Sequence, residues 1–248
     1  MASNFDPIGF SIESAAELGE VWQKLHPTCE IIKLAHGEYQ HWMSESGAQV
    51  WIFIADGQLV TMSPAFSGQG RVRVNIQKTF PRDPFNAEGG LYAWANPGEK
   101  AGQKPETGDY PFVFDTPDFS LLGNLALPTV RTAQITAFAH QMGVYADEAA
   151  FLAAQPQEQK FASKSFIPVG LFTAAKTKEP PQAYAMLAGH VLATELKTNE
   201  ISGEKFVWAC IDSLGGTYDV VIPTSMLSAP PRVGEILSGQ CWLCGQLL

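Results

Sequence analysis

The densest cluster of titratable side chains in the chain is His36, Glu38 and His41. Two imidazoles and a carboxylate can hold a metal ion with coordination positions left open, and such a centre would support metal-assisted hydrolysis. The spacing argues against it. Residues an odd number apart on a strand point to opposite faces, so His36 and His41 diverge unless Gly37 breaks the register. No metal is therefore expected, and these three stand as weak candidates only. Cys241 and Cys244 have the C-x-x-C spacing of zinc and redox sites, but only Cys29 and Cys210 remain as further thiol partners. In a final strand the pair reads as two buried, small apolar side chains.

A second group points to anion binding. Arg71 and Arg73 sit two apart, which on a strand puts both guanidinium groups on one face, with Val72 and Val74 on the other. The loop before them, residues 66–70, is glycine-rich, so its backbone can come close to a ligand. Tyr92 and Trp94, together with Phe80 and Phe85, supply aromatic walls nearby in the sequence. A small-molecule site at Arg71, Arg73, Tyr92 and Trp94 would take a ligand carrying a carboxylate or a phosphate. The plainer expectation for the two arginines is a solvated face with intramolecular ion pairs. Catalytic residues are not identifiable. There is no G-x-S-x-G elbow, and the run Gly68-Gln69-Gly70-Arg71 lacks both the P-loop lysine and the helix of a dinucleotide site, so no cofactor is expected.

The elements that would position these groups are mostly strands. Ser14 is a helix N-cap with Glu17 three residues on, and Leu18, Val21, Trp22 and Leu25 recur at helical spacing until Pro27. Strands follow at 29–34, 39–43 and 49–55. Asp56-Gly57 is the strongest hairpin signal in the chain, pairing 59–62 back onto the preceding strand. Residues 71–76 alternate basic and apolar side chains. Residues 81–90 and 96–111 read as loops around a short strand at 92–95, and 112–114 is another strand. The run 130–145 is read as a strand from its β-branched start, Asp147 caps a short helix to Ala154, and 166–172 is strand-like. A lysine- and proline-rich linker occupies 174–182.

From residue 183 onward the strand signals are dense: 191–196, 205–212, a Gly215-Gly216 hairpin into 217–222, and 233–248 with Gly239 as a break. Short strands without a long helix suit a small Greek-key barrel of the OB type. The fold class expected is mainly β (α+β), in two β-rich domains with a few short helices. Residues 1–173 form the N-terminal domain, 174–182 the linker and 183–248 the barrel. The order of turn glycine, tryptophan, aspartate, proline and Arg-Val is common to the runs starting at Gly47 and Gly203, and would fit a duplicated β-meander.

The chain has 248 residues with 16 Lys+Arg against 25 Asp+Glu, a formal charge of -9. An acidic chain repels phosphate backbones, so nucleic acid is an improbable partner. The first ten residues lack the basic and apolar stretches of a signal peptide, and no apolar run approaches a membrane span, which points to the cytoplasm.

The segment from Gly189-His190-Val191 through Thr198-Asn199, Gly203, Phe206 and Trp208 to Gly239-Gln240-Cys241-Trp242-Leu243-Cys244-Gly245 resembles the strand-and-turn grammar of OB-like barrels. The chain as a whole resembles an uncharacterised bacterial protein family with such a C-terminal barrel. That resemblance implies no activity. The function expected is a non-catalytic module that binds a protein or a small anionic ligand through loops on a rigid β scaffold. A metal-assisted hydrolase at His36, Glu38 and His41 is the first alternative. A single-strand nucleic-acid binder acting through the barrel is the last.

Overall fold

The computed structural model describes residues 3–98, 108–158, 160–174 and 179–248. The fold is mainly β, with two sheets and three short α-helices among the described residues. Helix α1 (Ala15–Leu25) starts where the sequence places it: the Ser14 hydroxyl accepts from the Glu17 amide at 3.3 Å, and Glu17 reaches back to the Glu13 amide at 2.6 Å. Four antiparallel strands follow, β1 (Glu30–Leu34), β2 (Gly37–Met43), β3 (Ala48–Ala55) and β4 (Gln58–Phe66), in sheet order β1-β2-β3-β4. Asp56 and Gly57 both adopt left-handed backbone, φ 51° and 73°, the geometry a tight two-residue hairpin needs.

Every residue of β3 is buried, so both faces of this sheet are covered. One face carries α1, whose Trp22 indole donates to the Gln40 side chain at 2.9 Å. The other carries Tyr39, Trp51 and Phe53 in edge-on contacts at 5.3–5.5 Å, and the Tyr39 hydroxyl donates to the Ala87 carbonyl at 2.5 Å. That hydrogen bond ties the open sheet to the second body of the fold.

The second body is a nine-stranded sheet closed on itself. Its strands are β5 (Val72–Pro81), β6 (Gly89–Ala95), β7 (Pro111–Thr116), β8 (Thr129–Tyr145), β9 (Ser165–Ile167), β10 (Tyr184–Thr198), β11 (Lys205–Ser213), β12 (Gly216–Pro223) and β13 (Ile236–Leu247). One ring runs β10–β11–β12 as an antiparallel meander, passes by a parallel pairing to β8, and returns through β13 to β10. The strands β8, β5, β6 and β7 then pair in succession, and β7 meets β13 in parallel at Asp115 and Cys244, which closes a second ring on the same two strands. Strands β8 and β13 thus belong to both rings. They are long enough for this because β8 pairs β13 continuously from Ala133 to Tyr145 apart from one bulge, next to the expected break at Gly239. The small residues Ala133, Ala137 and Ala139, all fully buried, leave room where the rings meet.

The expected barrel at 183–248 supplies four strands of the first ring. The fifth, β8, precedes the 174–182 segment, of which residues 175–178 lie outside the described residues. Its pairing with β12 joins residues more than 80 positions apart, and no local pattern encodes such a contact. The strand-like run 166–172 is a strand only over β9. Pro168 ends it, and α3 (Val169–Ala174) follows. Helix α2 (Glu148–Ala154) is capped as expected, the Ala150 amide donating to Asp147 at 2.8 Å. The two runs read as a repeat take different places: Trp51 sits in the open sheet and Trp208 in the ring. Residues 99–107 of the expected long loop lie outside the described residues. Among the described residues no helix is long and apolar enough to cross a membrane.

Candidate ligand groove

Arg73, Tyr92 and Trp94 lie on one face of β5 and β6, and Arg71 ends the loop just before β5. Val72 and Val74 are buried while both arginines are exposed, Trp94 stands opposite Asn75 and Tyr92 opposite Lys78. The face is as expected, but its binding groups are engaged within the chain. The amides of Gln69 and Gly70 donate to the carboxylate of Asp219, each at 2.9 Å. The Trp208 indole and the Gln134 amide complete the shell of that carboxylate at 2.8 and 2.6 Å. Asp219 is fully buried, and a Cβ added at Gly68 would lie 2.2 Å from its carboxyl carbon. The glycine loop therefore does cradle a carboxylate, but one supplied from β12. Arg71 donates to the carbonyls of Gly68 and Gly70 at 3.2 and 2.6 Å, bracing the same loop. Arg73 reaches the Pro97 carbonyl at 3.4 Å.

His36, Glu38 and His41 are not brought together. His36 is exposed at the β1–β2 turn, and Glu38 pairs with Lys33. His41 lies on the opposite face of β2, stacked on Trp51 with ring centroids 4.0 Å apart and bonded to Gln49 at 3.1 Å. Burial lowers the pKa of His41. Among the described residues no three His, Cys, Asp or Glu side chains form a group that could hold a metal ion. All four cysteines are free. Burial pushes the thiols of Cys29 and Cys210 up to about 11 and raises those of Cys241 and Cys244 as well, so none is an activated nucleophile.

One serine does contact a histidine. The Ser163 hydroxyl lies 3.2 Å from His190 Nε2, and it donates to the Glu148 carboxylate. Glu148 approaches that same imidazole nitrogen at 3.8 Å. A serine is activated when the carboxylate holds the far nitrogen and the near one accepts the seryl proton. Here the carboxylate takes that proton itself, so the cluster is a polar tie between α2, β10 and the segment before β9.

Polar and aromatic side chains from distant segments converge elsewhere, between the open sheet and the second ring. A groove of about 560 Å³ is walled by Leu34 and His36 from the β1–β2 turn, Phe53 from β3, Phe85 and Asn86 from the β5–β6 loop, and Phe119, Ser120 and Asn124 from the segment after β7. Its aromatic wall is held by close backbone approaches. A Cβ at Gly37 (φ 151°) would meet the Ile54 carbonyl at 2.3 Å and the Phe53 ring at 2.8 Å, and one at Gly89 would lie 2.2 Å from the Phe119 ring. Only glycine lets these rings lie flat on the backbone.

The loop carrying Phe85 and Asn86 is fixed from within. Asp83 accepts from the amides of Phe85 and Glu88 at 2.8 and 2.7 Å, and the Arg82 amide donates to the Glu88 carbonyl at 2.9 Å. Asn86 takes a left-handed conformation, φ 57°, which asparagine tolerates better than most residues. The Ser120 hydroxyl crosses the groove floor to the Asn86 carbonyl at 2.5 Å. Phe85 stays 43% exposed at the rim, its centroid 6.0 Å from that of Phe53.

Behind this loop lies a half-buried ionic junction. Asp115 pairs with Arg82 at 2.8 Å and accepts from the Trp242 indole at 2.8 Å, while Arg82 also donates to the Pro181 carbonyl. Glu88 accepts from Ser63 at 2.6 Å, which ties β4 to the loop. Burial raises the pKa of both carboxyls. Hydrogen bonds from Ser63 and Thr61 partly offset this at Glu88, as do Arg82 and Trp242 at Asp115. The cavity among them is about 30 Å³, the room one water occupies. The junction holds the groove's loop and is too small for a substrate.

Sequence reasoning placed Phe85 on the anion site and left Asn86, Ser120 and Asn124 unread. Phe80 does turn toward a cation, lying under Arg82 at 4.9 Å, but Phe85 turns to Phe53. The available signal was the run Arg82-Asp83-Pro84-Phe85-Asn86, a turn built around an aspartate with an aromatic residue at its tip. In comparisons of the chain with family models, curated proteins and solved structures, none matches it.

Proposed function

We propose that this protein is a non-catalytic binding module that holds a small uncharged molecule in the groove between the open sheet and the second ring. One observation carries the reading. In a chain of formal charge -9, the groove is lined by three phenylalanines and by Asn, Ser, Thr and His side chains, with no Asp, Glu, Lys or Arg. Its volume lies in the range of small-molecule sites, and an apolar wall with a few fixed polar groups is their usual make-up. A second cavity, about 550 Å³, is lined by Asp6, Glu13, Glu204 and Lys205 and contains no aromatic ring.

The neutral lining moves the reading away from the anionic ligand that Arg71 and Arg73 suggest, because Arg71 and the loop amides already serve internal partners. The hydrolase alternative lacks converging ligands, and the single-strand alternative faces the charge of -9. The test is a thermal-shift screen with matched neutral and anionic small molecules. Neutral compounds should raise the midpoint of the unmodified protein and leave that of Phe85→Ala unchanged. Hits that are mainly anionic, or that stabilise Phe85→Ala equally, would overturn the reading.

A further inference from the structure

Resting on that reading of the groove, we infer that its ligand class is the uncharged saccharides. Three features of the lining lead there. First, a hydroxyl is donor and acceptor at once, and the groups best matched to it are those offering both, the amides of Asn86 and Asn124; the Ser120 hydroxyl, whose proton goes to the Asn86 carbonyl, adds an acceptor. Neither asparagine side chain has an intramolecular hydrogen bond among the described residues, and both residues are exposed in the groove lining.

Second, the exposed rim ring suits a saturated ring. The face of Phe85 is the negative end of its quadrupole, and the aligned C–H bonds on one side of a pyranose carry the complementary partial charge. Phe53 and Phe85 are tilted by 45° at 6.0 Å, so they are neighbours in one wall and not parallel plates. A flat heteroaromatic ring, which gains most between two parallel faces, finds no such slot between these two rings. Third, the lining has no Asp, Glu, Lys or Arg, so an ammonium group finds no counter-charge and a phosphate or carboxylate finds only the exposed imidazole of His36, and burying a charged group without a counter-charge is costly. The Asp83 turn and the Ser120 bond hold the rim before any ligand arrives, which lowers the entropy lost on binding.

The experiment is saturation-transfer NMR followed by titration calorimetry, using maltose, lactose and methyl glucoside as neutral saccharides, glucose 6-phosphate and glucuronate as charged ones, and indole and nicotinamide as flat neutral rings. The variants are Phe85→Leu, which keeps an apolar side chain but removes the ring face, and Asn86→Gly with Asn124→Ala, which removes both amides while keeping the left-handed turn available. At least one neutral saccharide should bind, Phe85→Leu and the double variant should each weaken it about tenfold, and the charged sugars should bind more weakly. Saccharide binding unchanged in both variants would overturn the inference. Binding of indole or nicotinamide that is lost in Phe85→Leu, with no saccharide bound, would also overturn it while leaving the groove reading intact. If no probe of any class binds, both fall.

Discussion

Replacing Asp219 by asparagine removes one charge and one acceptor from a site where four donors converge. Oδ1 of the aspartate serves Gln69 and Trp208, and Oδ2 serves Gly70 and Gln134. An asparagine oriented to keep the first pair turns its own N–H groups on the second. The Gln134 amide can rotate to meet them, because its other contact, Thr136 Oγ1 at 2.8 Å, can act as a donor once it releases the Phe66 carbonyl it meets at 3.4 Å. The Gly70 amide cannot rotate and is left buried and unpaired. Each hydrogen bond to a charged group contributes about 1.5–3 kcal/mol, and an orphaned buried donor costs about 1–3 kcal/mol. With one bond recovered at Gln134, the net loss is about 3 kcal/mol. For an m-value of about 3 kcal/mol/M in urea, the top of the usual small-protein range, that is a midpoint lower by about 1 M. Urea unfolding followed by tryptophan fluorescence measures it. Amide exchange should accelerate at Gly70, which loses its acceptor, and much less at Gln69, which keeps one. A midpoint within about 0.2 M of the unmodified protein at equal slope, with both amides still protected, would refute the claim that this carboxylate closes the glycine loop.

Gly68→Ala should destabilise through the same group, because the new Cβ would press on the Asp219 carboxyl. Its effect should be smaller when Asp219 is already alanine, as a double-mutant cycle in urea would show. Glu88→Gln tests the half-buried junction. Burial raises the Glu88 pKa in the folded protein, so the folded state holds its proton over a window above the ordinary carboxylate value where the unfolded chain does not. That contribution to stability is present below the window and is lost as pH rises through it. Glutamine keeps the acceptor for Ser63 without the titration, so stability relative to the unmodified protein should improve from acid toward neutral pH. A constant difference across thermal melts at several pH values would contradict this. Thiol reagents should label the folded chain slowly and the denatured chain quickly at Cys210, Cys241 and Cys244, which are buried and have raised pKa values.

What could be read in the sequence is what local chemistry determines. Ser14 and Asp147 cap helices, Asp56-Gly57 turns a hairpin, and the alternation at 71–76 puts Arg71 and Arg73 outside, each through contacts only a few residues apart. The anion-binding potential of the glycine loop was also legible, but its occupant was not, since Asp219 lies about 150 positions away. A separation of more than 80 positions likewise hides ring closure by β8: a parallel pairing of residues 136–138 with 219–221 leaves no periodic trace in either run. The groove is still harder to read. Its walls come from four segments of ordinary composition, and Phe53, Phe85 and Phe119 become one surface only when the open sheet docks on the second ring through Tyr39 and Ala87.

The most direct test of the central claim is a two-dimensional amide NMR spectrum recorded while an uncharged ligand from the screen is added. Shifts should be centred on Phe85, Asn86, Phe119, Ser120 and Gly123 and on the facing wall at His36 and Phe53, with the side-chain amides of Asn86 and Asn124 moving together with them. Shifts centred on Arg71, Arg73 and Trp94, with the groove signals unmoved, would contradict it.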